Sequence, residues 1–192
     1  MALKNSTMLP LGTIMPHFEL LDVRSNQVVS SEQLAGNRAM LVMFICRHCP
    51  YVVHVQEELA NLGRDYKGTN LGMIAISSND VEGYPQDAPH HLKNMADELG
   101  LLFPYCYDES QNVAKAFTAA CTPDFFVFDQ EHKLVYRGQL DESRPGNGKP
   151  VTGRDLRKAI DAVLAELSVP GVQKPSAGCN IKWKPGKEPV YA

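Results

Sequence analysis

The sequence has little net charge, no basic run and no long apolar stretch. Its formal charge is −3, and 19 Lys and Arg residues are scattered among 22 Asp and Glu residues. Such a distribution lacks the patch or arm that neutralises phosphates or an anionic lipid surface, so neither nucleic acid nor a membrane is expected as a partner. The opening residues 1–10 have no uninterrupted apolar core with a small-residue cleavage site, and no run nears the length of a membrane span. A cytoplasmic location is the expectation. Internal repeats are absent as well, which excludes solenoids and arrays. Five cysteines, an odd number in 192 residues, fit no secreted disulfide framework and point to thiols kept reduced until they react. With 44 % hydrophobic residues the chain is long enough for one good core, and the expected division is a domain over 1–169 and a tail over 170–192.

What is present is a cysteine pair in a telling place. Cys46-Arg47-His48-Cys49 follows the apolar run 39–45 and precedes Pro50 and a helical pattern, so a buried strand feeds a helix at the pair. The start of a helix offers unpaired backbone N–H groups and a positive dipole end, which stabilise a thiolate over a thiol. With Cys46 near the exposed end and Cys49 one turn inside, Cys46 is the expected nucleophile and Cys49 the resolving thiol. Arg47 and His48 add positive charge, which favours the reduced pair. Known pairs span about −270 mV for thioredoxin to about −120 mV for the strongest oxidant, and a pair less reducing than thioredoxin is expected here. The competing readings are half of a zinc site, with Cys46, His48, Cys49 and His54 as local donors, and a chance tetrapeptide. A zinc site usually needs a second pair or two spaced histidines, which are missing.

Around the pair the chain alternates. Segments 17–22 and 27–30 flank the turn Arg24-Ser25-Asn26 and predict a hairpin, followed by the strand 39–45. Val52, Val55, Leu59 and Leu62 recur at helical spacing over 51–66, and the apolar run 71–76 predicts a second buried strand. A polar loop over 80–89, with Gly83, Pro85 and Pro89, is placed to overhang a site and leads into a helix over 90–99. Then come a strand over 103–107, a helix over 110–119, and strands over 124–129 and 134–139 joined by a turn. The last helix is predicted to start at Thr152, with Asp155 completing a capping box, and to run through Leu167. This is an α/β pattern, a central mixed sheet flanked by helices, with an N-terminal β-hairpin and a C-terminal extension. Thr122-Pro123, just ahead of the apolar strand Phe125-Phe126-Val127-Phe128, is compatible with a tight entry turn and a cis peptide.

The segments Cys46-Arg47-His48-Cys49-Pro50-Tyr51, Ser78-Asn79-Asp80, 121–129, 135–141 and 178–183 together resemble the thioredoxin-fold redoxins. Within these the likeness is to the peroxiredoxin-like branch of the alkyl hydroperoxide reductase and thiol-specific antioxidant group, and it covers nearly the whole chain. The resemblance implies a thioredoxin-like fold, Pro123 as the cis-proline facing the pair, and Thr122 presenting backbone to an extended substrate, with Cys121 within short reach of the pair. Two departures stand out. Thioredoxins carry a buried aspartate on the strand before the motif, and here residues 40–45 hold no carboxylate, so His48 or an unidentified group has to take the proton of Cys49. Peroxiredoxins have Thr or Ser three residues before a peroxidatic cysteine, and an arginine near the cis-proline position. Cys49 aligns with that cysteine, Cys46 replaces the hydroxyl residue and Pro123 stands where the arginine would be, which leaves a peroxide poorly polarised. Arg137 on the next strand is an auxiliary candidate, although a strand arginine is expected at the surface.

Cys106 is expected to be a buried inert thiol, and Cys121 either a structural thiol or the partner of a regulatory disulfide with Cys46. Cys179 in the tail folds back as a third redox thiol in one reading. The expectation is a thiol-disulfide oxidoreductase without organic cofactor or metal, acting on protein or small-molecule disulfides with an unidentified thiol as electron donor. The alternatives are a thiol peroxidase with Cys49 peroxidatic and peroxides as substrates, and a metal-binding or redox-sensing module.

Overall fold

The computed structural model describes residues 3–192. The first strand, β1 (Leu3–Asn5), lies apart from the hairpin β2 (Glu19–Asp22) and β3 (Val28–Ser30), which leads into a single turn of helix, α1 (Ser31–Leu34). Ser30 caps α1 in a full capping box with Gln33. Strand β4 (Ala39–Phe44) is buried along its whole length, and its apolar residues face two cores at once. Leu41 and Met43 pack on one side with Cys46, Cys49, Val52 and Leu59, while Met40, Val42 and Phe44 pack on the other with Phe117, Phe126 and Phe128. A continuous apolar run is what a strand covered on both faces requires.

Helix α2 (Pro50–Asp65) follows, then β5 (Leu71–Ser77), a 3-10 turn at Pro85–Asp87, α3 (Pro89–Leu99), β6 (Tyr105–Tyr107) and α4 (Asn112–Ala116). The chain closes with β7 (Cys121–Thr122), β8 (Asp124–Asp129), β9 (Leu134–Gly138), α5 (Arg154–Leu164) and β10 (Ala177–Asn180). Seven described strands form a mixed sheet in the order β3-β2-β6-β5-β4-β8-β9, in which β4 pairs parallel with β5 and antiparallel with β8. Three others form a small sheet, β1-β10-β7, that ties the two ends of the chain to the segment before β8. The tail after residue 169 therefore packs back, in register with Cys121 and Thr122.

Two local expectations fail for identifiable reasons. No capping box forms at Thr152: the helix starts at Arg154 behind Gly153, whose φ of 65° is left-handed, and Asp155 instead accepts from Gln139 Nε2 at 2.6 Å. The carboxylate of Asp141 takes the Thr152 and Gly153 N–H groups at 2.6 and 2.7 Å. The helix expected over 110–119 shrinks to α4, because Thr118 turns to a φ of 49° and gives its carbonyl and hydroxyl to Arg137.

Candidate active site

β4 runs out beside β5 with one further bond, from Ile45 N–H to Ile76 O at 2.9 Å. Arg47 and His48 form a bend before Pro50 opens α2, and Cys49 is the N-cap. No side chain within this bend satisfies its backbone. Asp87, fully buried in the loop over the site, reaches in and accepts from Arg47 N–H at 2.8 Å and His48 N–H at 3.1 Å on Oδ1. Its other oxygen holds His48 Nδ1 at 2.5 Å and Asn79 Nδ2 at 2.7 Å. Burial by itself would raise the Asp87 carboxyl, but the donors of His48 and Asn79 hold it below the usual carboxylate value. Tyr84 stacks on the His48 ring at 5.2 Å, and His48 Nε2 is buried without a hydrogen-bond partner.

The two sulfurs lie under this bend, Cys46 1 % and Cys49 0 % exposed, so exposure does not separate attacker from resolver as sequence spacing suggested. The Thr122–Pro123 peptide is cis, and Thr122 bridges the pair: its Oγ1 lies 3.4 Å from Cys46 Sγ and its carbonyl oxygen 3.2 Å from Cys49 Sγ. Proton donors converge on Cys49. A hydrogen bond from Cys46 is the largest influence and, with donors from Cys179, Thr122 and the Val52 N–H, it pulls Cys49 down to about 4 against the effect of burial. Cys46 is correspondingly pushed well above the ordinary thiol range, by its bond to Cys49, by burial and by the charge of Asp87. These influences favour the thiolate on Cys49 over Cys46 in the reduced pair. Cys46 Sγ, a ring nitrogen of His48 and a carboxylate oxygen of Asp87 lie within 4.8 Å of one another.

The Redoxin family model matches residues 10–156. The chain belongs to the redoxin family. A solved structure of an uncharacterized conserved protein from Geobacillus kaustophilus is 54 % identical to this redoxin over 97 % of this chain and 98 % of that one, with a TM-score of 0.95. A hypothetical protein from Sinorhizobium meliloti 1021 is 46 % identical over 95 % and 99 % of the two chains, with a TM-score of 0.93. The thioredoxin domain of a thiol-disulfide oxidoreductase from Bacteroides vulgatus, 18 % identical over 81 % of this chain and 99 % of that one, has a TM-score of 0.62 and shows the shared thioredoxin-like fold. No curated protein matches the sequence.

Other candidate residues of the redoxin fall in different places. Arg47 turns outward, with Nη1 donating to His91 O at 2.9 Å and Nη2 3.7 Å from Glu98, so its guanidinium is engaged by α3. Arg137 is not a surface residue as expected: it is 0 % exposed, pairs with buried Asp124 at 3.1 Å and covers the Phe126 ring at 4.4 Å. Burial raises the Asp124 carboxyl, and the Arg137 guanidinium and the Ser6 hydroxyl oppose that rise. Cys121 donates to Pro123 O at 3.7 Å and, one residue along β7 from Thr122, projects to the opposite face. Cys121 and Cys106 are both held protonated, chiefly by burial. His54, a local donor in the zinc reading, bonds Ser143 Oγ at 2.7 Å. Asp87 is the functional candidate that sequence reasoning missed. Its loop was expected to overhang a site, and a single carboxylate between Pro85 and Pro89 was the available signal.

Proposed function

We propose that this redoxin is a thiol-disulfide oxidoreductase in which Cys46 attacks a substrate disulfide and Cys49 resolves the mixed disulfide. The observation that carries the reading is the set of groups around the pair: an Asp87-anchored imidazole beside Cys46, and Thr122 with cis Pro123 against both sulfurs. Cys46 keeps its proton at rest, so its attack needs an acceptor. His48, with Nδ1–H donating to Asp87, presents a basic Nε2 that has no other partner. Cys46 bonds one substrate sulfur as the substrate S–S bond breaks and the other sulfur leaves as a thiolate, and Cys49, favoured as the thiolate, lies beside the new bond. Cys49 attacks Cys46 Sγ, the Cys46–Cys49 bond forms, and the substrate sulfur leaves and takes the proton from His48. The substrate is reduced by two electrons and the pair is oxidised by two. Reduction of insulin with a small thiol donor tests this: the wild type accelerates the reaction, and a Cys46→Ser variant of full activity overturns the assignment.

One observation favours a second reading. A Cys49 thiolate is the nucleophile a thiol peroxidase requires, with Cys46 resolving the sulfenic acid. Against it, the guanidiniums of Arg47 and Arg137 are committed to α3 and to Asp124. Peroxide turnover no faster than the free thiol removes that reading. Cys46, His48 and Asp87 also form the donor set of a soft-metal site, but Asp87 would have to release bonds to His48 and Asn79 to ligate. Zinc that leaves thiol reactivity unchanged removes this one.

A further inference from the structure

The C-terminal strand places a third sulfur against the pair. β10 lies antiparallel on β7 with Cys179 opposite Thr122, the residue whose hydroxyl and carbonyl touch Cys46 and Cys49. The backbones approach so closely that a Cβ on Gly178 would lie 2.0 Å from Thr122 O, so glycine is required there for the strand to seat. Further along, Ile181 N–H bonds Ala120 O at 3.2 Å, Lys182 N–H bonds Asn79 Oδ1 at 2.8 Å, and Lys182 O accepts from Asp80 N–H at 2.8 Å. Asn79 in turn holds Asp87, so the tail shares one network with the bend that carries the pair. Cys179, buried in the same cluster as Cys46 and Cys49, has its thiol pushed up to about 12, by burial first and then by the neighbouring Cys49. An extended strand hydrogen-bonded along the edge before the cis-proline, with a cysteine at the pair, has the arrangement of a bound disulfide substrate supplied by the chain itself.

We infer that Cys179 is a third redox residue, which exchanges with the Cys46–Cys49 disulfide to form a Cys49–Cys179 disulfide. This rests on the oxidoreductase reading for the origin of the first disulfide. In the exchange, Cys179 Sγ attacks Cys49 Sγ, the Cys179–Cys49 bond forms and the Cys46–Cys49 bond breaks. The proton of Cys179 passes to the departing Cys46 sulfur, and no electrons enter or leave. The oxidised site then carries its disulfide on the tail strand, with Cys46 returned to a thiol.

The test uses the full chain with a preformed disulfide, without reductant, incubated with N-ethylmaleimide and mapped by non-reducing peptide mass spectrometry. In the wild type, Cys46 becomes alkylated while Cys49 and Cys179 appear as a linked peptide, about tenfold faster than Cys46 is alkylated in Cys179→Ser, where the exchange has no incoming thiol. Equal labelling of Cys46 in the two proteins overturns the inference. A second measurement stands apart from the first disulfide: Cys46→Ser and Cys46→Ala, oxidised with diamide, are expected to link Cys49 to Cys179. Free Cys179 in both, or Cys49 linked to Cys121, overturns it. If the wild type never forms the Cys46–Cys49 bond, the oxidoreductase reading fails, and the Cys46 variants still decide the Cys49–Cys179 pairing.

Discussion

Replacing Asp87 by asparagine separates two roles for this carboxylate that push Cys46 in opposite directions. As a negative charge within 4.8 Å of the Cys46 sulfur, it disfavours the thiolate. At an effective dielectric of about 20 that repulsion is worth about 3.5 kcal/mol, or about 2.5 pKa units, so removing it alone speeds reaction of Cys46. As the anchor of His48 it does the reverse. Four N–H donors meet its two oxygens, Arg47 and His48 backbone on one, His48 Nδ1 and Asn79 on the other. An asparagine has one oxygen, and keeping it on the backbone pair turns its NH2 toward His48 Nδ1. The imidazole must then switch tautomer, placing the proton on Nε2, where it can no longer accept one from Cys46. Loss of a positioned base is worth roughly 100-fold. The assay is the rate at which a small aromatic disulfide modifies Cys46, in Cys49→Ser with and without Asp87→Asn, at neutral pH. Slowing by one to two orders of magnitude is expected, and acceleration refutes the role of His48. Stability falls as well, by about 2–4 kcal/mol in urea titrations, since buried donors are left facing an amide. Because the folded Asp87 value lies below its ordinary 3.8, that contribution is complete above 3.8 and is lost as pH falls through the folded value. The gap between wild type and variant therefore narrows in acid.

Three further expectations concern other parts of the site. Gly178→Ala is expected to lift β10 from β7, because the new methyl meets backbone at 2.0 Å; alkylation of Cys49 then speeds, and an unchanged rate with an unchanged melting temperature contradicts the packing described. Arg137→Ala leaves Asp124 buried without its cation and is expected to cost about 3–5 kcal/mol in denaturant titration, a loss below about 1 kcal/mol showing that the pair is not structural. The Cys49 thiolate, held to about 4 chiefly by Cys46, favours the reduced pair; a glutathione-buffer titration is expected to give a potential above about −270 mV, and a value at or below thioredoxin's defeats this account of the dipeptide.

The parts of this fold with a strong local signal were legible in the sequence. β4 and β5 are apolar enough to read as strands covered on both faces, and α2 declares itself by Val52, Val55, Leu59 and Leu62, all buried on one side. The cysteine pair was legible because it stands at a junction of such elements, whereas cis Pro123 facing it was implied by the resemblance to the redoxins. The small sheet was not, because β1 and β10 bring together Leu3 and Cys179, and no local periodicity records a pairing across the length of the chain. Asp87 and Arg137 were misjudged or missed for a related cause. A carboxylate in a polar loop and an arginine on a strand are solvated by default, and what buries them here is a partner distant in sequence: the bend at 47–48 for one and Asp124 for the other. Composition cannot show such a partner.

The account stands most directly on where a substrate disulfide attaches. Cys49→Ser lacks the resolving thiol, so a reduced preparation mixed with an oxidised peptide is expected to accumulate a covalent mixed disulfide. Peptide mapping is expected to place that bond on Cys46. A bond on Cys106, Cys121 or Cys179 in place of Cys46, or no trapped species while the wild type turns over, contradicts the assignment of Cys46 as the attacking sulfur.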